Sequence, residues 1–246
     1  MLAIIGGSGL LEIPQLKQPE RRAITTPFGE PSAPITLGRL GKSPIAFLNR
    51  HGRQHSFAPH QINYRANIWA LKSLGVKNIV SIATVGGIAR PCLPGTLVIP
   101  HQIIDYTWGR EQSFFVAGEP VTHVDFTEPY SANVRSALIA SASLCAEPTI
   151  NKAVYAVTQG PRLETAAEID RLERDGADIV GMTAMPEAIL AREIGICYGA
   201  LAVVANFAAG RGDSRHTINL GAIYEVHREA MLRVVRILEN LQVDFE

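Results

Sequence analysis

Short apolar runs closed by glycine alternate along the chain with segments whose apolar positions recur at helical spacing. Met1–Ile5 is a run of the first kind, shut off by Gly6, Gly7 and Gly9, and predicts a buried strand. Ile35–Leu40 and Pro44–Leu48 flank Gly41-Lys42-Ser43 and predict a hairpin. Tyr64–Leu74 has helical spacing and meets Gly75, a suitable helix C-terminus. Further strands are predicted at Asn78–Val85 (stopping at Gly86-Gly87), Thr96–Ile99, Gln102–Tyr106, Val154–Thr158, Asp178–Val180 and Ile196–Ala205. Helices are predicted over Ser131–Leu144, Glu164–Arg174 and Pro186–Glu193, the last with proline at its first position. Ile223, Val226, Ala230, Met231, Val234, Ile237, Leu238 and Leu241 make one stripe, so the C-terminus reads as an amphipathic helix.

Strands that are apolar throughout and alternate with helices imply an α/β fold, a central mixed or largely parallel sheet flanked by helices on both faces. Neither an internal repeat nor a low-complexity linker interrupts the chain, so 1–246 reads as a single domain. Phe207–Asn219 is polar and contains glycine, which marks it as a loop beside a site.

Composition narrows the function. At 246 residues, 47% hydrophobic and 19% charged, the chain can bury a large core and is not disordered. Twenty-three basic residues balance 23 acidic ones, which argues against nucleic acid and anionic membrane as partners. The longest apolar run, Ile194–Ala205, falls short of the roughly 20 residues that span a bilayer. No basic region precedes the first apolar run, so the expected location is the cytoplasm. Cys92, Cys145 and Cys197 form no C-x-x-C pair and read as small core residues.

Candidate chemistry collects at predicted strand ends. Gly6-Gly7-Ser8-Gly9 can present amides and a hydroxyl to an anion, or can be a plain turn. Arg50-His51-Gly52-Arg53-Gln54-His55 follows the hairpin strand, where α/β folds aim side chains at ligands. Arginine there suits bidentate phosphate binding; a solvated loop is the plainer alternative. His51, His55 and His60 are metal ligands by type, but no carboxylate or cysteine nearby completes a site. In Thr158–Thr165, Glu164 can be functional or simply a helix-capping acid, and Glu187 after Pro186 reads as a first-turn helix charge. Asn206, the first polar residue after an apolar strand, is a ligand contact or a turn former. No G-x-S-x-G elbow or H-E-x-x-H helix is present. A phosphate pocket without a built-in nucleophile suits a reaction in which phosphate itself attacks.

Taken in order, these segments resemble the trimeric purine nucleoside phosphorylase family, in the branch that contains methylthioadenosine phosphorylase. The resemblance is carried by Gly6-Gly7-Ser8-Gly9-Leu10, Thr26-Pro27-Phe28-Gly29, Arg50–His55, Asn63–Leu71, Gly160-Pro161-Arg162 and Gly181-Met182-Thr183. It implies one α/β domain assembled as a homotrimer, acting on a small nucleoside with inorganic phosphate as co-substrate and no other cofactor. It puts Ser8, Arg50, His51, Thr84, the Val85 amide and Thr183 around phosphate, and Met182 against the ribose. Glu164 and Asn206 fall on the base, with Phe207 and Ala208 beside the latter. His123 corresponds to a residue reaching the neighbour's 5′ pocket, and Leu220 to the lining of the 5′ pocket.

Three positions depart from the adenine-specific pattern. Methylthioadenosine phosphorylases of the family carry Asp at the Asn206 position, a second Asp at Ala208 and a small hydroxyl residue at Glu164. Here the Asn206 amide can donate to N7 and a 6-oxo oxygen, and Glu164 can accept the N1–H of hypoxanthine. With an apolar 5′ wall, the implied reaction is phosphorolysis of methylthioinosine to hypoxanthine and 5-methylthioribose 1-phosphate. The alternatives are methylthioadenosine or general 6-oxopurine phosphorolysis, hydrolysis by a nucleosidase, and a nucleoside-binding module without turnover.

Overall fold

The computed structural model describes residues 1–115, 118 and 122–243, without the side chains at positions 220, 222 and 224. Its strands are β1 (Leu2–Gly6), β2 (Lys17–Arg22), β3 (Ile35–Leu40), β4 (Ser43–Asn49), β5 (Asn78–Gly87), β6 (Leu97–Val98), β7 (Gln102–Asp105), β8 (Thr149–Ile150), β9 (Val154–Val157), β10 (Ile179–Gly181) and β11 (Cys197–Phe207). The helices are α1 (Tyr64–Ser73), α2 (Ala132–Leu144), α3 (Ala166–Arg174), α4 (Ala184–Glu193) and α5 (Leu220–Glu239). All these strands join one mixed sheet in the order β2-β3-β4-β1-β5-β10-β9-β7, with β11 on β5 and β6, and β8 on β6. This is the α/β architecture expected. Among the described residues no helix is long and apolar enough to cross a membrane.

Strand alternation sorts side chains onto two apolar layers. On β1, Ala3 and Ile5 pack with Ile68 and Leu71 of α1 and with Ala188 and Leu190 of α4. Leu2 and Ile4 pack with Val134 and Leu138 of α2 and Val234 and Ile237 of α5 on the opposite face. Both faces are covered, which is why the central strands show no polar alternation.

The long strand β5 organises the site. β11 runs along one edge of it from Asn78 to Gly87. The other edge holds β1 only as far as Ser81 and β10 only from Gly86. Between them the sheet splits, and Ile82–Val85 lose their strand neighbour on that side. The glycines at 86 and 87, read as a stop, lie inside β5 because β10 and β11 both pair with them. Expected and observed elements otherwise differ mainly at the ends, apart from two strands that the pattern does not predict, β2 and the two-residue β8. β2 is exposed along its length and its sequence KQPERR has no apolar period, so it has no signal to read.

Candidate active site

The split in the sheet opens into a cavity of about 530 Å³. Ser8, Arg50, His51, Thr84, Val85, Glu164, Met182, Thr183, Asn206 and Ala208, ten of the residues singled out by sequence, line it. A larger cleft of about 1100 Å³ also touches Ser8, but none of the other nine. Phe207 lies at the end of β11 against Gly212, and His123 is exposed; neither lines the cavity. The Leu220 side chain lies outside the described residues, and the apolar residues lining this side are Ile218 and Ile223.

Arg50 is fully buried and bridges the split. Its Nη1 donates to the Ile82 carbonyl at 2.9 Å, one of the backbone groups exposed where β1 ends. Nη2 donates to Ser81 Oγ at 2.6 Å. Nε and Nη2 form a two-point pair with the Glu187 carboxylate at 2.7 and 2.8 Å. Tyr198 donates to the same carboxylate at 2.8 Å. Glu187 is thus no solvated helix charge: it is completely buried, the counter-charge of Arg50. Burial pulls the Arg50 pKa down, but the charge and hydrogen bonds of Glu187 outweigh it and the net shift is upward. The guanidinium fork is therefore taken by Glu187, not left open for bidentate phosphate binding. Of its N–H groups, only one on Nη1 remains for an anion.

His51 Nδ1 lies 2.9 Å from the Phe57 carbonyl. A carbonyl only accepts, so Nδ1 carries the hydrogen and Nε2 is the acceptor nitrogen. Burial, and then the Arg50 charge, push its pKa down to about 4, so the ring is neutral near pH 7. His55 stacks on it with ring centroids 4.3 Å apart. Among the described residues no three His, Cys, Asp or Glu side chains gather as a metal site. Thr183 is the N-cap of α4, yet its side chain makes no capping hydrogen bond. Hydroxyls of Ser8, Thr84 and Thr183, with the last Arg50 N–H, can together receive an anion.

Glu164 stands outside α3. The capping box there uses Thr165 and Glu168, so Glu164 has no capping task. Its Oε1 instead accepts a hydrogen bond of 2.6 Å from Thr158 Oγ1 at the end of β9. Asn206 is brought to the cavity by a register shift between Val204 and Asn206, where β11 bulges against β5. Its Nδ2 donates to the Phe207 carbonyl at 2.6 Å. The carboxylate and the amide share one cavity, where their donor and acceptor atoms can read a base edge.

Arg110 stands outside every motif above and holds these segments together. It donates to the backbone oxygens of Gln159, Met182 and Met185 at 2.8, 2.8 and 2.6 Å, and lies over the Tyr64 ring.

A family model described as the phosphorylase superfamily matches residues 1–242. The chain belongs to that superfamily. This phosphorylase is 51% identical over 215 residues to a probable S-methyl-5′-thioinosine phosphorylase of Xanthomonas campestris, covering 87% of this chain and 86% of that one. It is 46% identical over 222 residues to a 6-oxopurine nucleoside phosphorylase of Pyrococcus furiosus, covering 88% and 83%. Methylthioadenosine phosphorylase from Schistosoma mansoni in complex with adenine matches its fold with a TM-score of 0.92 at 32% identity, over 97% of this chain and 89% of that one.

Proposed function

We propose that this phosphorylase cleaves S-methyl-5′-thioinosine with inorganic phosphate, giving hypoxanthine and 5-methylthioribose 1-phosphate. The observation that carries this reading is the pairing of Glu164, fixed by Thr158, with Asn206 in one cavity. A 6-oxopurine offers Glu164 its N1–H, and offers the Asn206 N–H left over from the Phe207 carbonyl an acceptor at N7 or at the 6-oxo oxygen. Adenine has no N1 hydrogen, so Glu164 would face a lone pair. The names of the Xanthomonas and Pyrococcus relatives point to 6-oxopurine substrates as well.

In this scheme a phosphate oxygen bonds to C1′ as the C1′–N9 bond breaks. The bonding electron pair passes to the purine, where hydrogen bonding at N7 stabilises it. Ser8, the free Arg50 N–H, Thr84, the Val85 amide and Thr183 donate to the phosphate oxygens and hold it in line, while His51 Nε2, an acceptor, takes the hydrogen of the phosphate's P–OH. Met182 lies against the ribose, Phe207 and Ala208 flank the base contact, and Ile218 and Ile223 shape an apolar 5′ pocket that favours S–CH₃ over hydroxyl. No metal or organic cofactor takes part. The proposed location is the cytoplasm, and the family resemblance supports a homotrimer in which the exposed His123 serves a neighbour's 5′ pocket.

Phosphorolysis of methylthioinosine, methylthioadenosine, inosine and adenosine side by side is the test. Methylthioinosine is expected to have the highest kcat/KM, and base release is expected to require phosphate. Preference for methylthioadenosine, or release at full rate in water alone, would overturn the reading.

A further inference from the structure

Helix α5 meets the cavity at two levels. Ile223 lines it, and one turn later His227 reaches back to the sheet, where Nε2 lies 2.6 Å from Thr84 Oγ1. His227 is only 8% exposed. The contact is prepared from both sides. Thr84 alternates with Val80 and Ile82, so it shares the sheet face covered by α5. Gly9 makes room for the ring: a Cβ there would lie 1.4 Å from the His227 Cε1. The last glycine of the Gly-rich turn is thus a notch for an imidazole on a helix at the other end of the chain.

A threonine hydroxyl has one hydrogen to give. If Thr84 spends it on the ring, only oxygen lone pairs face an incoming anion. If Nε2 carries the hydrogen and donates to Oγ1, the Thr84 hydrogen is free for a phosphate oxygen. An anion selects the second arrangement. We infer that His227 is a positioning residue for phosphate, its Nε2–H holding the Thr84 hydroxyl as a donor to the bound anion. The inference rests on the reading of Thr84 as a phosphate contact.

Steady-state kinetics with phosphate and methylthioinosine varied independently test it, on wild type, Thr84→Val, His227→Phe, His227→Gln, and Thr84→Val combined with His227→Phe. Thr84→Val and His227→Phe are each expected to raise the phosphate KM about tenfold, the scale of one hydrogen bond to a charged group, with the nucleoside KM little changed. The double variant is expected to be no worse than Thr84→Val, because both changes remove one interaction. His227→Gln keeps a side-chain N–H and is expected to recover part of the loss. Gly9→Ala pushes the ring away without touching α5, and is expected to repeat the His227→Phe effect should that variant not fold. An unchanged phosphate KM in Thr84→Val overturns the reading of Thr84 and this inference with it. A raised KM in Thr84→Val with none in His227→Phe or Gly9→Ala overturns the inference alone. So does a double variant in which the two losses multiply, since His227 would then act without Thr84.

Discussion

Arg50 and Glu187 stand 137 residues apart and meet in a two-point ion pair of 2.7 and 2.8 Å, with neither side chain exposed to solvent. Pairing offsets the cost of burying each charge, and removing one partner strands the other. Glu187→Ala and Arg50→Ala are each expected to lose about 3–5 kcal/mol of unfolding free energy in denaturant titrations. Replacing both, Arg50→Met with Glu187→Leu, is expected to cost clearly less than the sum. Arg50→Ala is therefore a poor probe of phosphate binding, because it damages the fold around the split sheet as well. Full stability in either single variant would refute the pair's role.

His51 gives the fold a dependence on pH. Its pKa falls from 6.5 to about 4 on folding. Above pH 6.5 the ring is neutral in both states and the full contribution is present. As pH falls below that value the unfolded chain takes up a proton that the folded one refuses until about pH 4. Stability is lost across that window, up to about 3 kcal/mol, because each pH unit between the two pKa values costs roughly 1.4 kcal/mol. His55 and His227 are also lowered by burial and act in the same direction. Wild type is expected to lose more stability than His51→Gln between about pH 7 and pH 4.5. Parallel losses in the two proteins would show that His51 does not titrate with folding.

Much of this was legible from residue pattern. The apolar strands, the covered sheet and the polar clusters at strand ends follow from period and punctuation; the ten residues that meet in one cavity include Thr84, Val85 and Ala208, which only the family resemblance picked out. What pattern does not carry is pairing across distance. Glu187 has the same letters nearby whether it caps a helix or neutralises Arg50; only the apolar run Ala188-Ile189-Leu190-Ala191 after it hints at burial. His227 likewise stands in the apolar stripe of α5, between Ile223 and the buried Ala230, where a polar residue is out of keeping. Arg110 has no such signal, because its partners are backbone carbonyls, which every sequence supplies.

Ile223 should govern the 5′ substituent. It lines the cavity together with Ile218, and an apolar wall gives a hydroxyl no partner. Ile223→Asn is expected to lower kcat/KM for methylthioinosine and to raise the inosine-to-methylthioinosine ratio by about tenfold or more, the scale of one changed pocket contact. Competition between the two nucleosides, followed by chromatography of the sugar phosphates, reads that ratio directly. A ratio that stays at the wild-type value would remove Ile223 from the 5′ pocket.

The base contacts can be exchanged as a pair. In Glu164→Ser the acceptor for N1–H disappears, while Thr158 keeps the Gly181 carbonyl at 3.3 Å as a partner and is not stranded. In Asn206→Asp the new side chain faces the Phe207 carbonyl, which now receives Nδ2 at 2.6 Å. An ionised carboxylate is repelled there, so the local geometry favours the protonated acid, which can donate to that carbonyl or to purine N7. A neutral acid beside a serine no longer penalises an unprotonated N1, and it can accept from a 6-amino group through its carbonyl oxygen. Mismatched polar groups in a site discriminate by up to ~10⁴–10⁵, and removing the mismatch returns part of that range. The double variant is expected to lose methylthioinosine activity and gain methylthioadenosine activity, shifting the kcat/KM ratio by about 10² or more. The gain should be larger below neutral pH, where the acid at position 206 is more fully protonated. If the ratio of the two substrates is unmoved in the double variant, Glu164 and Asn206 do not read the base.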